Sequence, residues 1–288
     1  MGGDRVAVVT IVHRRHEHLE RHLWGLRRQT RRPDLLVVVA MDDPDIEELV
    51  RARWPGPAAG GGTPPVLVPA MDRVGSSLPL AAARNLGVHA AEAAGASHLV
   101  LLDVDCIAST GLVERYATLL ARPDAPRLQV LAGEVAYLPP PPTGRDYREL
   151  DLDALSSPHP GRPTLGADET LVADDVRLFW SLSFATTVRT WRTIGGFDPA
   201  YVGYGAEDTD FGQRLAAAGG TLTWVGGARA HHQHHPTSDP PTQHLTDIVA
   251  NANRFARRWG WWPMESWLEK FARLGLARRR PDGVWVVQ

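Results

Sequence analysis

Cysteine is nearly missing from this chain: Cys106 is the only one among 288 residues. One thiol excludes an intramolecular disulfide and fits a reducing compartment, so a cytoplasmic protein is expected. Long hydrophobic runs are missing too. None reaches the roughly 18 residues a membrane span needs, and Met1 to Val12 holds one short apolar stretch without the layout of a signal peptide. Charge of one sign is also lacking. A formal net charge of −2 excludes the broad cationic surface of a nucleic-acid-binding protein. There is no internal repeat and no clear linker between domains. What remains is ordinary globular material, 43% hydrophobic and 22% charged, long enough to bury one large α/β core.

The first hundred residues alternate between two periodicities. Val6–Val12 (VAVVTIV) is a continuous β-branched run, as a parallel strand covered on both faces requires. His16–Gln29 follows with Leu19, Leu23 and Leu26 at helical spacing, and Leu35–Ala40 reads as a second buried strand. A Pro- and Gly-rich loop near Trp54–Pro65 leads to a short strand at Val66–Val68, an alanine-rich helix at Leu80–Ala94 and a strand at His98–Leu102. This alternation predicts a doubly wound, mostly parallel sheet, whose ligands bind beyond the carboxyl ends of the strands. Further on, Leu128–Tyr137 reads as a strand and Glu207–Ala218 as a helix stopped by Gly219 and Gly220. The composition of Pro139–Asp175 predicts a long surface loop that acts as a mobile lid or shapes an acceptor site. Thr221–Val225 reads as a last strand, followed by a histidine cluster and two amphipathic helices, Thr242–Trp259 and Met264–Leu274.

Two acidic groups stand out chemically. In Leu99-Val-Leu-Leu-Asp103-Val-Asp105 an apolar strand ends in two carboxylates. Desolvating them without a partner is costly, and a divalent metal that bridges two phosphates is the natural partner. A strand running out to solvent and capping the next helix is the bland alternative. The second group is Glu207, Asp208 and Asp210, behind the glycine-rich turn Gly195-Gly196-Phe197-Asp198 and the segment Tyr204-Gly205-Ala206. Helix capping alone needs fewer acids than this.

Histidines and aromatics add a third layer. His231-His232-Gln233-His234-His235 offers imidazole ligands, with His232 and His235 three positions apart. His13, His16, His18 and His22 read as surface positions of the first helix. Trp180 is a candidate for a cleft that stacks on sugar faces, with core packing the more common role for any single tryptophan. The basic stretch Arg254–Arg280, with its tryptophans, is read as helices packing on their own domain, with peripheral membrane contact as the other option.

Taken in order, these motifs resemble an inverting GT-A glycosyltransferase. The matching residues are Val8 to Arg14, Leu26 to Pro33, Ala82-Ala83-Arg84-Asn85-Leu86-Gly87, Leu102 to Asp105, Gly195 to Asp198 and Gly205 to Asp208. The first half is similar to the large family-two group, and the later motif to β-1,4-galactosyltransferases. The resemblance implies a GT-A domain with a nucleotide-sugar-binding half (1–110), an acceptor-side half (111–240) and C-terminal helices (241–288). It implies a nucleoside-diphosphate-sugar donor, UDP-sugar first, and a Mn2+ or Mg2+ cofactor held by Asp103, Asp105, His232 and His235. Thr10, Val12, Arg14 and Asp42 (or Asp43) would line the base and ribose pocket, with Arg84 and Asp103 near the diphosphate. Asp208 would be the general base and Glu207 a hydroxyl-binding partner, giving a product of inverted configuration. A nucleotidylyltransferase shares the sheet and the carboxylates, but usually carries a glycine-rich loop after strand one, and Thr10-Ile-Val-His-Arg14 has no glycine. A non-catalytic carbohydrate-binding protein of the same fold is the third reading.

Overall fold

Burial along β1 (Val6–Val12) shows why an unbroken apolar run was needed. Every residue is covered, and the two faces enter different cores. Val6, Val8 and Val12 join a core beneath the sheet, whereas Ala7, Val9 and Ile11 join one above it. Alternation of side chains along a strand requires this division. A computed structural model describes residues 4–56 and 62–288 of the chain. Residues 1–3 of the expected amino-terminal stretch and 57–61 of the expected Trp54–Pro65 loop lie outside the described residues.

After β1 come α1 (His16–Arg27), β2 (Leu35–Met41), α2 (Asp45–Arg53), β3 (Val66–Leu67), β4 (Ala70–Met71), α3 (Leu80–Ala93) and β5 (His98–Leu102). The middle of the chain supplies β6 (Cys106–Ala108), α4 (Leu112–Leu120), β7 (Gln129–Tyr137), α5 (Leu152–Leu155), β8 (Ser157–Pro158), β9 (Thr170–Val172) and β10 (Ser183–Thr187). The last part holds α6 (Val188–Ile194), α7 (Glu207–Ala217), β11 (Thr221–His232), α8 (Leu245–Trp259), α9 (Glu265–Arg273) and the hairpin of β12 (Ala277–Arg279) with β13 (Trp285–Val287). One mixed sheet runs β3-β2-β1-β5-β10-β7-β11-β6, so both halves of the sequence share it. Pairings among β1, β2, β3 and β5 are parallel, while β10 runs antiparallel to both β5 and β7. Helices α1, α2 and α4 cover one face; α3, α6 and α7 cover the other. The result is a GT-A type α/β fold.

Three expectations need correction. The 139–175 segment is not a free loop: it contains a 3-10 turn at Tyr147–Glu149, α5, and β8 and β9 paired to β7 and β11. Arg21 and Arg229 pin it through Asp146 and Asp153. Strand β11 runs seven residues further than Val225, because a register shift between Val225 and Ala230 lets it bend and continue. His231 and His232 are therefore strand residues. His22, expected on the surface, is 0% exposed. Its Nδ1 donates to the Cys106 carbonyl at 2.8 Å and its Nε2 meets the Thr10 hydroxyl at 2.9 Å. Burial lowers its pKa to about 4, so the ring is a neutral strut between α1 and β6.

Candidate active site

The chain brings its acidic motifs together by strand pairing and helix packing. Beyond β5, the turn Asp103-Val104-Asp105 leads straight into β6, and β6 pairs antiparallel with β11 so that Cys106 faces His232. The Gln233 N–H then donates to the Asp105 carbonyl at 2.7 Å, closing the corner. As a result Asp105, His232 and His235 present ligand atoms within 4.8 Å of one another. Each imidazole Nε2 lies 3.6 Å from Asp105 Oδ2, and Arg15 Nη1 lies 3.2 Å from it. Burial works to raise the Asp105 pKa, but the charges of His232, Arg15 and His235 outweigh it and hold the carboxyl below its usual range.

Asp103 does not join that trio. It faces α3, where Arg84 Nη2 donates to its two oxygens at 3.2 and 3.4 Å, while Arg84 Nη1 reaches Glu207 at 3.5 Å. Asp103, expected among the metal ligands, stands outside the group of three whose ligand atoms converge and is held by a buried guanidinium. Arg84, expected near the diphosphate, is 6% exposed and paired on both sides. It bridges the acids of the two motifs. Its neighbour Asn85 completes the join, donating to the Phe197 carbonyl at 2.7 Å and accepting from the Phe197 N–H at 2.9 Å. Gly196 permits this contact, because its φ is +65° and a Cβ there would stand 2.6 Å from Asn85 Oδ1. Gly87 does the same for α3 against the sheet, where a Cβ would stand 2.5 Å from Val9.

Helix α7 opens the opposite wall. Ala206 precedes it at φ 71° and no side chain caps it, so Asp208 is not serving as a cap. Its Oδ2 accepts from the Ser181 N–H at 3.0 Å, and its Oδ1 is sealed from solvent without a protein partner among the described residues. Asp105 Oδ1, His18 Nε2 and the Ser181 hydroxyl share that condition. Buried polar atoms normally have partners, and these four lack one among the described residues. Burial, then the charge of Asp208, pushes Glu207 up to about 7 against the pull of Arg84. Burial, joined by the charges of Asp105 and Asp208, pushes Asp103 up to about 6 against Arg84. Tyr204 faces the same acids; burial and their charges raise its phenol.

The remaining expected residues lie elsewhere. Thr10 and Val12 are core side chains rather than cleft side chains, because even-numbered positions of β1 face the α1 layer; Thr10 bonds the Leu102 carbonyl at 2.9 Å. Arg14 is exposed, with its N–H on Asp43 at 2.8 Å. Asp43 also accepts from His16 at 3.0 Å, which leaves Asp42, paired with Arg73, as the more open acid beyond β2. Arg15, His18, Ser181 and Tyr204 were not singled out from sequence as site residues. Arg15 lies one position from Arg14, and Tyr204 borders the glycine motif; Ser181 acts through its backbone and leaves no sequence signal.

Glu207 offers a test of this electrostatic picture. The unfolded chain releases the Glu207 proton near the ordinary carboxyl value and the folded chain near 7, so the folded state holds a proton the unfolded state has lost. Stability from this group is complete below the unfolded pKa and lost as pH rises through the folded one. Glu207→Gln lacks that loss. Its unfolding temperature is expected to gain on the wild type as pH rises from about 4.5 to about 7, and then hold steady. Parallel melting curves across that range would contradict a raised Glu207.

A large mixed sheet whose first strands are parallel, covered by helices on both faces, is the architecture of the GT-A glycosyltransferase class of fold. More particularly, residues 162–236 match a family model described as N-terminal domain of galactosyltransferase. That range contains the glycine turns, Glu207, Asp208, His232 and His235. A solved structure of GalNAc-T7 with UDP, GalNAc and Mn2+ shares the fold at TM-score 0.56 and 18% identity. The match covers 93% of this chain and 56% of that one, so this chain spans little more than half of that protein's length. No curated protein sequence matches the chain. No helix among the described residues is long and apolar enough to cross a membrane.

Proposed function

We propose that the protein is a metal-dependent, inverting glycosyltransferase that moves a sugar from a nucleoside diphosphate, UDP first, to an acceptor hydroxyl. One observation carries this reading: Asp105, His232 and His235 converge beyond β5, while Arg84 ties Asp103, two residues before Asp105, to Glu207 at the start of α7. The matched galactosyltransferase segment and the UDP and Mn2+ in the GalNAc-T7 structure support it.

The residues present fit a divalent cation. One carboxylate and two imidazoles lie within ligand reach of each other, and Asp105 Oδ1 has no protein partner among the described residues. The imidazoles favour Mn2+ over Mg2+, which prefers oxygen donors. When bound, such an ion offsets the negative charge of a diphosphate leaving group. The chain's own residues do the rest. Asp208 is held by the Ser181 N–H through Oδ2 and offers Oδ1 to the acceptor hydroxyl as general base. Glu207, with its pKa near 7, can donate as well as accept hydrogen bonds to sugar hydroxyls. Arg84 keeps Asp103 and Glu207 in register across the cleft. Inversion follows when the acceptor enters opposite the leaving group with Asp208 behind it.

Two measurements test the reading. Incubation with UDP-sugars should release UDP, and chelation by EDTA should stop it. Independently of turnover, Mn2+ titrated into the protein and followed by electron paramagnetic resonance should bind at the trio. Asp105→Asn, and His232→Ala with His235→Ala, should weaken that binding at least about tenfold, as lost ligands and their supports do. Unfolding temperature should change little. Unaltered Mn2+ binding in both variants would remove the assignment.

A further inference from the structure

Beside Asp208 lies a guanidinium with no task in the mechanism above. Arg162 is clamped between two indoles, its Cζ 4.7 Å from the Trp180 ring centre and 4.6 Å from that of Trp224. Its Nη2 reaches only the Trp180 carbonyl, at 3.4 Å. Nε and Nη1 are sealed from solvent without a protein partner among the described residues. Other arginines that tie down the same segment are committed: Arg21 to Asp146, Arg115 to the Gly226 and Glu169 carbonyls, Arg229 to Glu134 and Asp153. Burial lowers the Arg162 pKa to about 10, so the group still carries its charge at neutral pH.

Stripping water from a cation without a paired anion costs several kcal/mol. Stacking between tryptophans recovers part of that. The planar fork still has two donors without a protein partner among the described residues, and carboxylates and phosphates match that fork two bonds at a time. Its position points to the acceptor. Trp180 directly precedes Ser181, whose N–H holds Asp208, and Asp208 is the carboxylate whose charge acts on Arg162. An aromatic wall leads from there to the metal-ligand trio. His159 stands edge-on to Trp180 at 4.7 Å, Tyr137 is 5.8 Å from His159, and His232 is 4.9 Å from Tyr137. Arg162 and the trio thus occupy opposite ends of one wall suited to saccharide rings.

Resting on the transferase reading, we propose that Arg162 anchors an anion-binding acceptor subsite, and that the saccharide accepted beside Asp208 carries a carboxylate or phosphate group. Saturation-transfer NMR on the full chain with UDP and Mn2+ tests this. The probes are D-glucuronate, D-galacturonate and D-glucose 6-phosphate, each against its neutral parent sugar. At least one acid should bind about tenfold or more tightly than its parent, as a charge-assisted pair predicts. The winning acid separates carboxylate from phosphate. In Arg162→Gln, or in Arg162→Met if the first variant fails to fold, the ratio should fall to about one. Equal binding of acids and parents by the wild type, or an advantage that survives either variant, overturns the proposal. Mn2+-dependent UDP binding, measured in the same samples, reports on the transferase reading separately. Its absence beside a clear acid preference would sink that reading and leave the anion site standing.

Discussion

Asparagine at position 208 is expected to lower sugar transfer by about 10²–10⁴, the usual loss when a general base disappears. The geometry isolates the effect. Asp208 Oδ2 accepts one hydrogen bond, from the Ser181 N–H at 3.0 Å, and an amide oxygen can accept it equally well. Helix α7 has no side-chain cap to lose, so the fold has no reason to respond. What the amide lacks is a basic oxygen at the Oδ1 position, where the carboxylate has no protein partner among the described residues. UDP affinity in the presence of Mn2+ should stay close to wild type, because the trio belongs to the β5–β6 turn, the end of β11 and the residues just beyond it, not to α7. UDP release from a UDP-sugar, with water replacing the acceptor, reads the loss before the acceptor is known. Near-wild-type release by Asp208→Asn would place the base elsewhere, with Glu207 the next candidate.

Two positions along, an acid of the same motif should behave in the opposite way. Asp210→Ala is expected to cost about 3–5 kcal/mol of stability, the range for breaking a buried ion pair from one side. Asp210 is 0% exposed. It accepts from Arg214 Nε at 2.8 Å, Trp259 Nε1 at 2.9 Å and the Tyr201 hydroxyl at 3.3 Å, and Arg258 stands 3.2 Å away. Removing the carboxylate leaves the buried Arg214 without its counter-ion and two further donors without an acceptor. It also cuts the tie between α7 and the end of α8. Urea unfolding followed by tryptophan fluorescence gives the number. A loss below about 1 kcal/mol, the scale of an ordinary surface pair, would mean the network carries no stability. Mn2+ binding at the trio should persist at temperatures where the variant is folded.

These two aspartates mark where sequence reading stops. Spacing alone set Glu207, Asp208 and Asp210 on one helix start, and could not say which acid meets solvent, a ligand or a counter-ion. That depends on Ser181, Trp259 and Arg258, contributed by distant segments. The same limit explains Asp103, which pairs with Arg84 from α3, and His22, a buried strut although its position on the first helix reads as surface. Thr10 and Val12 show a different failure. Position at a strand end was legible, but the face to which each side chain turns depends on the phase of β1 between its two helical layers.

By itself the sequence determined the alternating strands and helices of the first half, the abrupt end of β5 in two carboxylates, and the glycines at turns no other residue fits. Those properties are local, since hydrophobic period and backbone freedom act over a few residues. Only the tertiary structure decided which carboxylate meets which partner. The antiparallel pairing of β6 with β11 carries His232 to Asp105, and Asn85 and Arg84 fasten the glycine turn and Glu207 to the first half. Whether a charged group ends beside a counter-ion, an imidazole or a stack of indoles depends on contacts between residues far apart in the chain, and no local pattern encodes them.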